Sequence, residues 1–113
     1  MNQNKILQNP RVIIIQKLYG YHLNKDSTIT FPKHRYKKFI KDVVLGTLER
    51  KELIEETIEQ HLSEDLSIKR TEKLLVVILL AATFEFLYRP QISVNIIINE
   101  YLNTSKFFLE QNQ

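Results

Sequence analysis

The side chains able to do chemistry in this chain favour binding over catalysis. There is no cysteine, which removes thiolate zinc sites, iron–sulfur clusters, disulfides and thiol nucleophiles together. His22, His34 and His61 fall in different segments, and none has a second histidine four residues on, so no metal site is expected. Gly20 and Gly46 stand alone, which excludes a glycine-rich phosphate loop. No serine sits in a nucleophile elbow. Glu52, Glu55, Glu56 and Glu59 could be drawn as acid and base, but a solvated helix face accounts for them more simply. The expectation is a protein with no catalytic residue, no metal and no cofactor.

Two groups of residues suit a polyanion. In Lys33-His34-Arg35-Tyr36-Lys37-Lys38-Phe39-Ile40-Lys41, five permanent cations fall within nine positions. Cations early in a helix oppose its dipole, so Lys33, Lys37, Lys38 and Lys41 invite phosphates, whose counterions they would release. The competing reading is a solvated face in a chain rich in lysine. The second group is Lys5, Arg11, Gln16, Lys17 and Tyr19. Arginine can fork onto phosphate, glutamine can read a base edge, and tyrosine can stack on an unpaired base. Helical periodicity alone places Tyr19 in a core. Charge is uneven along the chain: residues 1–50 hold ten basic and three acidic groups, whereas residues 51–113 hold six and ten. One half of the molecule can therefore attract a polyanion, or the two halves can simply face each other.

The elements that must carry these groups read as helices. A chain of 113 residues with two glycines and three prolines has few turn formers for a sandwich or barrel. At 43% hydrophobic and 26% charged residues it is not a disordered polymer. One domain over residues 1–113 is expected, with residues 1–10 as a flexible arm. Behind Pro10, the spacing of Val12, Ile15, Leu18, Tyr19 and His22 predicts a first helix, although Val12 to Ile15 alone would suit a strand. Pro32, capped by Thr30, opens a second helix with Tyr36, Phe39, Ile40, Val43, Val44 and Thr47 on its apolar face. Leu53, Ile54, Thr57, Ile58, His61 and Leu62 stripe a third.

A fourth helix, over about 68–87, is apolar nearly all round and should lie at the centre, stopped by Arg89-Pro90. Glu85 inside it needs a buried partner, such as a neighbouring helix cap. Val94, Ile97, Ile98, Tyr101, Leu102 and Phe108 predict a fifth helix started by Ser93. The apolar run Leu74 to Tyr88 is too short, and interrupted by Glu85, to span a bilayer. With no signal peptide in Met1 to Pro10, a cytoplasmic location and no membrane association are expected.

The order of these residues resembles the NusB transcription antitermination family. Arg11-x4-Gln16-x-Leu18-Tyr19 is similar to that family's opening R-x4-Q-x-L-Y, and Phe39 to Gly46 to its F-x-x-x-L-V-x-G-V. Phe84-Glu85-Phe86 with Arg89-Pro90-Gln91-Ile92 resembles its Y-E-L and R-x-D-V-P turn. Val94 through Tyr101, including Ile98-Asn99-Glu100, resembles V-x-V-x-I-N-E-Y, and Ser105-Lys106 the A-K that follows. The resemblance implies an all-α NusB-like bundle of about five helices in two packed subdomains. It implies a non-enzymatic protein that binds boxA-type single-stranded RNA with ribosomal protein S10 (NusE), within the RNA polymerase antitermination complex. The RNA-contacting residues carried over are Lys5, Arg11, Gln16 and Tyr19.

There are departures. Asn2, Gln3, Asn4, Leu7, Gln8 and Asn9 stand where the family is denser in arginine, Leu80 replaces the arginine of I-L-R, and Ser93 replaces a proline. The family's closing F-V-N-G-V-L-D has no counterpart in the 113 residues, so a truncated or reduced member is expected. These differences leave open a helical protein-interaction module with weakened or lost RNA binding. A free-standing relative of the NusB-like domains attached to RNA methyltransferases is a third reading.

Overall fold

Asn9 and Pro10 set the first helix. The Asn9 Oδ1 accepts the Arg11 N–H at 2.9 Å, and Pro10 occupies a first-turn position where its missing N–H costs nothing. The computed structural model describes residues 8–62 and 67–111. Helix α1 runs Pro10–Leu23, α2 Lys37–Glu49, α3 Lys51–His61, a 3-10 turn Ile68–Arg70, α4 Lys73–Tyr88 and α5 Val94–Gln111. No strand occurs among the described residues. Asn9 and Pro10 belong to the start of α1, so the arm expected over residues 1–10 does not reach residue 10; residues 1–7 lie outside the described residues.

The core explains the helices. Val12, Ile13, Ile14, Ile15 and Leu18 are all buried, so packing overrides the strand preference of the β-branched run. Helix α4 packs against all four other helices, which accounts for much of its apolar surface, while Leu75, Leu79, Phe86 and Leu87 stay exposed. One cluster joins Ile14 and Ile15 of α1, Ile40 and Val43 of α2, Ile54 of α3, Ala81 and Phe84 of α4, and Ile97 and Tyr101 of α5.

Several boundaries and faces depart from expectation. Helix α2 starts at Lys37, not at Pro32. His34 holds the preceding residues in a turn, with its Nδ1 accepting the Tyr36 N–H and its carbonyl the Lys37 N–H. Tyr36 therefore stands at the cap of α2, exposed, rather than on its apolar face. In α3 only Ile54 is buried, and Leu53 faces solvent. Glu59, expected to be merely solvated, accepts the Ile68 N–H at 2.7 Å and ties the end of α3 to the 3-10 turn. Helix α4 begins only at Lys73, after that separate turn. On α5 the buried set is Ile97, Tyr101, Thr104 and Phe107, while Val94, Ile98 and Leu102 are exposed. Ser93 does serve its start, its Oγ accepting the Ile96 N–H.

At Gly46 the backbone of α2 lies directly against the Phe84 ring of α4. A Cβ built there would press into the Phe84 ring at Cζ and Cε2, and Phe84 is itself buried. Gly46→Ala gains up to ~1 kcal/mol of helix propensity. It also overpacks a filled seam, at a typical cost of about 1–3 kcal/mol. Net destabilisation is expected in urea unfolding, and Gly46→Val should be worse. Equal or higher stability of Gly46→Ala would refute the close packing.

Candidate nucleic-acid interface

Glu85 decides what the opening of α1 can do. Its side chain is fully buried in the last turn of α4, where an ionised carboxylate demands strong donors. Arg11 supplies two, its Nε at 3.0 Å from Oε2 and its Nη2 at 2.6 Å from Oε1. Tyr101 of α5 donates its hydroxyl to the same Oε2. Burial alone would lower the Arg11 pKa, but the hydrogen bond and the charge of Glu85 outweigh it and hold the guanidinium above its ordinary value. Burial, reinforced by the Glu85 charge, pushes the Tyr101 phenol well above its own. The Arg11 guanidinium also lies 5.1 Å from the Phe39 ring centroid and 5.7 Å from that of Tyr101.

The structure places Arg11, expected at the RNA, inside the fold. It is a buried structural residue, and withdrawing it to meet a phosphate would strand the Glu85 charge. Nor do the other residues carried over for α1 gather around it. Gln16 is exposed but stands roughly 140° around the helix from Arg11. Tyr19 is half-buried, packed on the core with its ring 6.3 Å from that of His22. Lys5 lies outside the described residues.

The second basic group is differently placed. Lys33, Lys37, Lys38 and Lys41 are all exposed, and none joins an ion pair among the described residues. Two sit in the first turn of α2, whose cap makes no side-chain hydrogen bond. Before them, the His34 Nε2–H donates to the Gln8 carbonyl at 2.6 Å while Nδ1 accepts from Tyr36, which fixes the tautomer. Arg35 lies 5.4 Å over the exposed Tyr36 ring. Arg89, from the end of α4, joins this face, 3.8 Å from Asp42 and 5.4 Å over Phe39. Two residues of this face are not marked by the sequence: helical spacing assigns Tyr36 to the core, and Arg89 reads only as a helix stop. The signal for Tyr36 was its place among five cations.

A model of the NusB family matches residues 8–113. The chain belongs to the NusB family. Among curated relatives, the transcription antitermination protein NusB of Lysinibacillus sphaericus is 37% identical over 70 residues, 62% of this chain and 54% of that protein. That of Geotalea daltonii is 40% identical over 70 residues, covering 62% and 48%. That of Mesorhizobium japonicum is 25% identical over 94 residues, covering 83% and 61%. The chain thus spans about half the length of the curated NusB proteins it matches. No solved structure matches. The NusB match takes in all five helices, and with them both the buried network and the exposed lysines.

Arg11→Ala should lower stability by about 3–5 kcal/mol, because Glu85 is left charged and buried. Urea unfolding followed by circular dichroism reads this, and a loss below ~1 kcal/mol would contradict the pairing. Tyr101→Phe should cost roughly 1.5–3 kcal/mol near neutral pH. Because the phenol is raised in the folded state, the folded protein keeps its proton while the unfolded chain loses it above about pH 10. The stability supplied by Tyr101 is therefore complete below that pH and declines above it. The gap between wild type and Tyr101→Phe should narrow with alkalinity, and a constant gap would refute the assignment.

Proposed function

We propose that this chain is a non-enzymatic, RNA-binding antitermination factor of the cytoplasm. It would bind boxA-type single-stranded RNA together with ribosomal protein S10 (NusE), as part of an RNA polymerase antitermination complex. The observation that carries this reading is the set of unpaired lysines, Lys33, Lys37, Lys38 and Lys41, at the opening of α2 in a chain of the NusB family. Arg11 ties α1 to α4 within the scaffold, and Gln16 is exposed elsewhere on α1.

Mobile, fully hydrated lysines bind phosphates as point charges and release counterions, so affinity should fall steeply with salt. Four phosphate contacts to a single strand give a log–log slope of roughly −3. The measurement is fluorescence anisotropy with a boxA-type RNA, with and without S10, over a range of salt. Lys37→Gln combined with Lys38→Gln should make the slope shallower by about 1.4. Absence of RNA binding at low salt, with or without S10, would sink the proposal. The commitment of Arg11 to Glu85 favours one alternative, a helical protein-interaction module with weakened RNA binding. Binding of S10 that RNA neither strengthens nor weakens would identify it.

A further inference from the structure

We propose that Tyr36 is the platform on which an unpaired base of the RNA stacks; this rests on the RNA-binding reading above. Tyr36 is 48% exposed and its phenol makes no hydrogen bond among the described residues, so the fold gains little from its ring. Its position is nevertheless held. Its backbone N–H donates to His34 Nδ1 at 2.8 Å, and His34 in turn is anchored through Nε2 to the Gln8 carbonyl at the approach to α1. The imidazole lies 6.0 Å from the Tyr36 ring centroid and the Arg35 guanidinium 5.4 Å from it.

An exposed aromatic ring on an anchored backbone suits a splayed base, since part of the ordering is done before the ligand arrives. The surroundings fit the same ligand. Tyr36 and Arg35 form a ridge between two open hollows. One, of about 390 Å³, is walled by Gln8, Lys33 and His34. The other, of about 300 Å³, is walled by Lys38, Phe39, Asp42 and Arg89. Both reach the size of small-ligand pockets, roughly 300–1,000 Å³. The one carboxylate there, Asp42, is 3.8 Å from Arg89, so the cations outnumber it on both sides. A strand crossing the ridge would set a base on Tyr36 while Lys33 and Lys38 meet the phosphates before and after it. Apolar partners would not need those cations, and a lone phosphate would not need the ring.

The test uses the full chain and a short boxA-type RNA in which the fluorescent base 2-aminopurine replaces each purine in turn. Tyr36→Phe should bind within about twofold of wild type. Tyr36→Leu should lose roughly 5- to 150-fold in affinity, the equivalent of about 1–3 kcal/mol per stacked base. Its salt slope should not change, because no charge has been removed, and its unfolding midpoint should match wild type. At one position in wild type the 2-aminopurine fluorescence should be quenched, and Tyr36→Leu should abolish that quench. If wild type binds RNA while Tyr36→Leu binds within twofold and keeps every quench, the platform is refuted and the RNA-binding reading stands. If wild type binds no RNA, both fall.

Discussion

A carboxylate sealed in the last turn of the central helix constrains the arrangement of three helices at once. Glu85 is fully buried, and its oxygens are held by Arg11 from the start of α1 and by Tyr101 from α5. The chain separation is large, 74 residues to Arg11 and 16 to Tyr101. An apolar residue at 85 would be easier to bury, but it would not specify which turn of α1 docks against which turn of α4. The charged pair does, since any slip of register leaves a buried ion without a partner. The outward effect is equally specific. With Arg11 fixed and Asn9 capping the same turn, the Gln8 carbonyl has a defined place, and the His34 imidazole hangs from it. The geometry of the basic approach to α2 is thereby linked to the interior ion pair through one capped helix turn.

The cations of this chain divide by what they are tied to. Arg11 belongs to the interior. Arg89 and Lys51 sit at partly exposed edges, 3.8 Å from Asp42 and Glu55, where such pairs contribute little stability. The lysines at 33, 37, 38 and 41 have no partner among the described residues. Two of them oppose the dipole at the first turn of α2, a cost of about 0.3–1 kcal/mol each at a surface. Stability does not explain that placement, whereas a phosphate backbone reverses its sign.

What the sequence disclosed follows from how local each cause is. The helices were legible because Val12 to Leu18, Phe39 to Thr47 and the apolar run of α4 carry their own periodicity. That Glu85 needs a partner was legible from its neighbours, Phe84 and Phe86. The identity of that partner was not, because no local pattern joins positions 11 and 85. The start of α2 was misplaced because Pro32 fits a first turn, while the hydrogen bonds of His34, one of them to distant Gln8, hold a turn instead. That shift also explains Tyr36, since a helical wheel means nothing for a residue ahead of the helix. On α5 the wheel found a stripe but centred it wrongly. Thr104, whose hydroxyl bonds back to the Glu100 carbonyl, takes the buried place that Ile98 and Leu102 were expected to share.

These observations separate two roles that the family resemblance had merged in one residue. The arginine of the opening motif looks like a phosphate ligand when read beside glutamine and tyrosine, and chemically it could be one. Here a fully buried carboxylate competes for it, bidentate and at short range. An exposed phosphate screened by salt cannot match that contest, because the carboxylate has no solvent to fall back on. The buried ion pair and the exposed lysines are thus carried by different positions. Lys33, Lys37, Lys38 and Lys41 can change without touching the core, whereas change at 11 must first be compatible with folding.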